Sequence, residues 1–283
     1  MHSDYIRQKM PMIGIGTWQM KSERVLREVI NAGLAAGYRF IDTAQVYGNE
    51  CMIARILEDL LPKHNLTRED IFITSKVAPA NAGSKKAAQS IDKSLTNLKT
   101  DYIDLMLIHW PGSGRRSEDA HNQVLREETW AVLADYKSKG KLKAIGVSNF
   151  EIKHLDQLPA PVPEVNQVEF HPKFHQKELL QYCSDRGIHF QAYSSLGSPA
   201  IKDELFADPD VLALTEKYET TPATLLLAWS LSQGISVLPR TTNKEHVVAN
   251  FAATKLKISK DDCDTLLNNG AEDKTCWDPR PVN

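Results

Sequence analysis

Short runs of consecutive apolar residues alternate with longer stretches whose apolar residues recur every three or four positions. The short runs are MIGIGT from Met12, YRFIDTA from Tyr38, IFITSKV from Ile71, YIDLMLIH from Tyr102, LKAIGVS from Leu142, PEVNQVEF from Pro163, IHFQAYS from Ile188 and ISVLPR from Ile235. Each predicts a strand. The unbroken apolarity of Leu105-Met106-Leu107-Ile108 predicts burial on both faces, as in a parallel sheet covered by helices. Between the strands, Val25, Leu26, Val29 and Ile30 form one helical stripe, Met52, Ile53, Ile56, Leu57, Leu60 and Leu61 a second, and Ala88, Ile91, Leu95 and Leu98 a third. Gly37, Pro62 and Gly140 stand where helices should stop. Eight strand-helix alternations with no linker or low-complexity tract predict an α/β fold, a (β/α)8 TIM barrel forming one domain over residues 1–283. A short N-terminal segment is left to cap the barrel bottom. The alternative is a doubly wound open sheet, which usually binds dinucleotide through GxGxxG. Here Gly14-Ile15-Gly16 is followed by Gln19 where the third glycine belongs.

The position of the polar residues carries the functional signal, because a barrel collects its active-site groups at the carboxyl ends of its strands. Asp42 ends the second strand and Tyr47 follows in its loop. Lys76 ends the third, His109 the fourth, Ser148-Asn149 the fifth, Gln167 the sixth, Tyr193 the seventh and Arg240 the eighth. A phenol titrates near 10, and a neighbouring ammonium would lower that value. Lys76 can supply the charge, and Asp42 can keep a buried lysine protonated. His109 can donate a hydrogen bond to an oxygen beside Tyr47. Together these groups would polarise a carbonyl and protonate its oxygen, but they include no electron source. A nicotinamide would supply hydride. Ser148, Asn149 and Gln167 suit a carboxamide, and Tyr193 offers a plate for stacking. The run Pro239-Arg240-Thr241-Thr242-Asn243-Lys244-Glu245-His246 leads into a helix, and a helix start preceded by arginine and hydroxyls is a phosphate site.

Composition narrows the partners. The 283 residues are 42% hydrophobic and 25% charged with a net charge of −2, so no overall cationic field favours nucleic acid or an anionic membrane. No run approaches the roughly 20 apolar residues of a membrane span, and the start MHSDYIRQKM lacks the apolar core of a signal peptide, so the cytosol is the expected address. Cys51, Cys183, Cys263 and Cys276 form no CxxC pair and are read as free thiols, with Cys51 expected to be buried and inert. His171 and His175 have the spacing of a helical zinc pair, but Pro172 intervenes and no HExxH is present, so no metal is expected.

Six segments carry a family resemblance: Gly37–Glu50 (GYRFIDTAQVYGNE), Ile73–Val77 (ITSKV), Leu107–Pro111 (LIHWP), Gly146–Phe150 (GVSNF), Asn166–Pro172 (NQVEFHP) and Ala192–Gly197 (AYSSLG). In this order they resemble the signatures of the aldo-keto reductases over essentially the whole chain. The resemblance implies a metal-free, monomeric, NADPH-dependent reductase of aldehydes and ketones. It implies 4-pro-R hydride transfer with Tyr47 as general acid, Asp42 and Lys76 tuning it, and His109 orienting the carbonyl. Ser148, Asn149, Gln167, Tyr193, Ser194, Leu196, Arg240, Thr241, Asn243, His246 and Asn250 would bind the cofactor. Trp18, Tyr47, His109 and Trp110 would line the substrate pocket.

Departures from the family pattern carry expectations of their own. Where many members have Lys, Ser and a phosphate-gripping Arg, this chain has Arg240, Thr241 and His246, and imidazole is mostly neutral at pH 7. Some use of NADH is therefore expected. A nearby adenine-binding Glu is replaced by Ala249. Ala200 and Gln19 stand where some relatives place an ion pair that belts the pyrophosphate. The tail ends soon after Trp277, so an open pocket is expected, accepting dicarbonyls such as methylglyoxal, aromatic aldehydes or sugar aldehydes. Two other readings remain at this point: a dinucleotide-binding scaffold without activity, and a phosphosugar isomerase using the Arg240 loop.

Overall fold

The computed structural model describes residues 4–114, 117–267 and 274–283. After helix α1 (Asp4–Lys9), the chain runs β1 (Ile15–Gly16), α2 (Glu23–Ala36), β2 (Phe40–Asp42), α3 (Glu50–Lys63), β3 (Phe72–Val77), α4 (Ser84–Asn97), β4 (Ile103–Ile108) and α5 (His121–Ser138). It continues through β5 (Leu142–Ser148), α6 (Ile152–Asp156), β6 (Val165–Glu169), α7 (Lys177–Arg186), β7 (His189–Tyr193), α8 (Lys202–Phe206), α9 (Pro209–Lys217), α10 (Pro222–Ser232), β8 (Ser236–Val237), α11 (Lys244–Phe251) and α12 (Lys260–Leu267). All eight expected strands form. They pair in parallel in the order β1 to β8, and a parallel bridge between Ile13 and Val237 closes the last strand onto the first, giving a (β/α)8 barrel.

The boundaries follow local chemistry. Gly37 caps α2 at a φ of 109°, a left-handed conformation that glycine adopts without strain. Pro62 lies in the last turn of α3, which ends one residue later. Cys51, expected to be buried, is exposed, because α3 turns Ile53, Ile56, Leu57 and Leu60 toward the core and Cys51 away from it. His171 and His175 lie in a turn closed by a His171–Phe174 bridge, not on a helix.

A strand's side chains alternate between faces, so every second residue enters the barrel. Near the bottom, Phe40, Phe72, Leu105, Ala144 and Val165 cluster with Leu238 and with Ile6 and Met10 from the N-terminal segment. Helix α1 thus plugs the barrel bottom, and the Tyr5 hydroxyl donates to Asp104 at 2.7 Å. Gly14 leaves space there, since a Cβ at that position would lie 2.7 Å from Phe40 and 2.8 Å from Leu238. The same alternation continues upward. Asp42 follows Phe40, Lys76 follows Phe72 by two steps, His109 follows Leu105 by two steps, and Gln167 and Glu169 follow Val165. Among the described residues, no helix is long and apolar enough to cross a membrane.

Candidate active site

The mouth is built around an ion pair. Lys76 Nζ lies 2.7 and 2.8 Å from the two carboxylate oxygens of Asp42, donates to the Thr43 carbonyl at 2.9 Å, and stands 3.5 Å from the Tyr47 hydroxyl. Lys76 is fully buried and Asp42 nearly so. Burial pushes the ammonium's pKa down, and Asp42 opposes that shift. Tyr47 is carried by a single 3-10 turn, Gln45–Tyr47. Gln45 Nε2 anchors the turn to α4 through the Ser90 carbonyl at 2.7 Å and Ser94 Oγ at 2.9 Å. On the other side, Asn49 donates to the Thr17 carbonyl at 3.0 Å and accepts from Thr43 Oγ1 at 2.6 Å. The phenol is thereby held over the lysine by contacts to three separate parts of the chain.

The expectation that Lys76 acidifies Tyr47 is overturned. Burial pushes the Tyr47 pKa well above its ordinary value, and the negative charge of Asp42 adds to the effect. Lys76 shares its charge with Asp42, which weakens its pull on the phenol, and the loss of water decides the sign. His109 lies across the mouth, its ring centroid 5.8 Å from that of Tyr47. Burial, with Lys76 nearby, pushes the His109 pKa down to about 3, and its Nδ1 is buried without a hydrogen-bond partner among the described residues. The imidazole is neutral at physiological pH.

This neutrality makes a prediction about stability. Burial also pushes His154 down to about 4. Below pH 6.5 the unfolded chain takes up protons at these sites that the folded chain refuses, so stability falls as pH drops through the window from 6.5 toward 3 to 4. Between pH 7 and pH 5 the expected loss is about 2 kcal/mol per histidine. Urea unfolding at the two pH values measures it, and His109→Gln should remove roughly half of the difference. An unchanged difference in that variant would refute the assignment.

The expected carboxamide residues are brought together. Ser148 Oγ donates to the Gln167 carbonyl at 2.7 Å, and Asn149 Nδ2 donates to Ser148 Oγ at 3.1 Å and to the His109 carbonyl at 3.0 Å. The Tyr193 hydroxyl donates to Asn149 Oδ1 at 2.6 Å. Asn149 has a φ of 64° and Ser194 one of 52°, both left-handed. Leu196 is half-buried, with its side chain packed against the core. On the β8 side, exposed Arg240 uses Nε on the Trp18 carbonyl at 3.1 Å, leaving its terminal nitrogens without a partner among the described residues. Thr241 Oγ1 accepts from the Asn243 N–H at 3.1 Å, and Asn243 caps α11 through the Glu245 N–H at 2.8 Å. His246 is exposed, whereas Asn250 is buried on the same side of α11 as Val247.

The tail, expected to leave the pocket open, makes specific contacts at the rim. The tail folds back across the rim, where Trp277 meets Trp110 edge-on with centroids 4.7 Å apart, and Trp110 stacks on His109 at 6.1 Å. Glu169, fully buried at the top of β6, holds this arm. Its carboxylate accepts from Lys274 Nζ at 2.9 Å, from the Thr275 N–H at 2.9 Å, from the Cys276 N–H at 3.1 Å and from the Thr275 hydroxyl. Burial alone would push Glu169 up, but His171, Lys274 and Thr275 together hold it far below the usual carboxylate range. At the other end of the arm, His154 Nε2 lies 2.9 Å from the Val282 carbonyl and Arg126 donates to the Asn283 carbonyl at 3.1 Å.

A family model described as the aldo/keto reductase family matches residues 12–268. The chain belongs to the aldo/keto reductase family. It is 33% identical to the glyoxal reductase of Bacillus subtilis over 261 residues, covering 91% of this chain and 88% of that protein. It is 33% identical to human aldo-keto reductase family 1 member A1 over 282 residues, covering 92% and 86%. Among solved structures it resembles MGS-M4, an aldo-keto reductase from a deep-sea metagenome library of the Medee basin. The TM-score is 0.87 at 33% identity, covering 97% and 96%. The family reduces carbonyls to alcohols with NAD(P)H.

Two features of this aldo/keto reductase escaped the sequence reading. Glu169 lies inside the segment Asn166–Pro172, two positions after Gln167 and therefore on the same strand face, which is the signal that could have found it. Gln191 is two positions before Tyr193 by the same parity, but its partners come from β6 and β8 and no local pattern names them.

Proposed function

We propose that this aldo/keto reductase reduces small aldehydes and activated ketones with NADPH, Tyr47 protonating the carbonyl oxygen. The observation that carries the reading is the placement of the Tyr47 hydroxyl 3.5 Å from a lysine paired to Asp42, facing neutral His109 in one mouth. The polar wall of Ser148, Asn149, Gln167 and Tyr193 fits a nicotinamide carboxamide and ring, and the exposed Arg240 with the capped start of α11 fits phosphate. Bound there, a reduced nicotinamide would supply the hydride, the 4-pro-R hydrogen of C4 by the family resemblance.

The chain's own residues do the rest. A raised phenol pKa keeps Tyr47 protonated at neutral pH, the state a general acid must be in before reaction. As the proton leaves, negative charge grows on the phenol oxygen beside Lys76, whose ammonium stabilises it without moving. Neutral His109, with its proton on Nε2, donates to the same carbonyl oxygen and holds it in line. Trp18, Trp110 and Trp277 supply apolar walls for the remainder of the substrate. Likeness to a glyoxal reductase supports dicarbonyls as the first substrates to try.

The test is loss of reduced-nicotinamide absorbance on adding methylglyoxal, an aromatic aldehyde or a sugar aldehyde. Oxidation of NADPH with at least one of these is expected, with weaker use of NADH. Because a charge-assisted contact to phosphate is worth about 1.5–3 kcal/mol, Arg240→Ala should cut NADPH affinity about 10- to 100-fold and NADH affinity far less. Tight NADPH binding without oxidation by any carbonyl compound would favour the inactive dinucleotide-binding scaffold instead.

A further inference from the structure

Beneath the ion pair a line of buried side chains descends through the barrel. Gln167 Nε2 donates to Asp42 Oδ2 at 2.9 Å and to Gln191 Oε1 at 2.8 Å. Gln191 Nε2 donates to Ser236 Oγ at 3.0 Å and lies 3.6 Å from Met10 Sδ, while His189 Nε2 is 2.9 Å from the same serine oxygen. Gln167, Gln191 and Ser236 are each at most 2% exposed. Every member enters the barrel by strand parity, and the register pairs Gln167 with Gln191 and Gln191 with Ser236. Both N–H groups of Gln167 are therefore committed within the protein, and its Oε1 makes no hydrogen bond among the described residues.

We propose that Gln191 is a positioning residue of the cofactor site. By accepting one N–H of Gln167 while Asp42 accepts the other, it leaves Gln167 with an acceptor alone to offer, so a carboxamide can be received there only by donating its amide N–H. An amide side chain with two donors and one acceptor can bind a ligand in either sense. Here the sense is fixed from below, because reversing Gln167 would set its carbonyl oxygen against the Asp42 carboxylate and against Gln191 Oε1. The same hydrogen bond steadies Asp42, which ties the orientation of the carboxamide to the groups that hold Lys76. The proposal rests on the reading of the mouth as a nicotinamide site, and it concerns a residue that touches neither cofactor nor substrate.

Affinities for two oxidised dinucleotides test it by quenching of tryptophan fluorescence. One is NADP+, and the other is its 3-acetylpyridine analogue, which keeps a carbonyl and lacks the amide N–H. The wild-type protein should prefer NADP+ by about 3- to 10-fold, the worth of one neutral hydrogen bond. In Gln191→Met, which preserves volume, one of the two acceptors that hold the Gln167 amide from below is gone and only Asp42 still opposes its turning, so the preference should narrow. Gln191→Glu keeps an acceptor facing Gln167 and, protonated, a donor facing Ser236, so it should retain the wild-type preference. Binding of 2′,5′-ADP, which lacks the pyridine half, should be equal in all three proteins. Should Gln191→Met not fold, Ser236→Ala, which unfastens Gln191, should lower the preference in its place. An unchanged preference in a folded Gln191→Met protein, or a loss shared equally by 2′,5′-ADP, overturns the proposal. A wild-type protein that binds neither dinucleotide overturns the cofactor-site reading instead.

Discussion

Tyr47→Phe should lower kcat for aldehyde reduction by about 10²- to 10⁴-fold, the usual worth of a positioned proton donor, while leaving NADPH affinity within a few-fold of wild type. The change deletes one oxygen from a residue held in place mainly by others. Gln45 and Asn49 fasten the turn, and neither bond involves the hydroxyl. The variant should fold, and the Asp42–Lys76 pair should persist, because Lys76 keeps the two Asp42 contacts and the Thr43 carbonyl. What disappears is the proton and its route to the carbonyl oxygen. His109 cannot replace it, since its pKa of about 3 leaves no imidazolium at neutral pH to give up a proton. Steady-state kinetics with a reactive aldehyde, beside fluorescence titration of NADPH, separates the two quantities. Undiminished turnover in the variant would remove Tyr47 as the acid.

Glu169→Leu should release the C-terminal arm from the mouth. The wild-type carboxylate is fully buried and satisfies Lys274, two backbone N–H groups and a hydroxyl at once. Breaking a buried ion pair by removing one member usually costs about 3–5 kcal/mol, because the other charge is stranded. Lys274 need not stay stranded. It sits on a short arm and can swing into water, so the cost is capped by the free energy that docks the arm. The expected result is therefore local. Amide exchange over residues 274–283 should rise by an order of magnitude or more, and KM for a hydrophobic aldehyde should rise about tenfold as Trp277 leaves Trp110. Glu169→Gln, which still accepts from the N–H groups without the charge, should fall between. Normal exchange protection of the arm in the leucine variant would show that Trp277 and the contacts of residues 282 and 283 suffice to hold it.

Much of this was legible in the chain itself. All eight strands were visible as short runs rich in apolar residues, because a parallel sheet covered by helices is buried on both faces, and polar residues enter mainly toward the mouth. The residues grouped at the mouth were visible as polar side chains at strand ends, where the barrel's geometry gathers them whatever the chemistry. Less visible were the signs of the electrostatic effects. Lys76 close to Tyr47 suggests an acidified phenol, yet the structure raises its pKa, since the sign depends on how much water is lost and on Asp42 having already claimed the lysine. The anchoring of the arm was hidden for a related reason. Its holder, Glu169, lies 105 residues before Lys274, and no local pattern joins the two.

By itself, then, the sequence determined the strand order, the barrel and the set of polar side chains at its carboxyl end, because each is written in periodicities of two or a few residues. The tertiary structure alone decided which of those groups meet and which are buried away from water. Asp42 and Gln167 are separated by 125 residues, and Glu169 and Lys274 by 105. Only closure of the sheet brings such partners within hydrogen-bonding distance and excludes the water that would otherwise set their protonation.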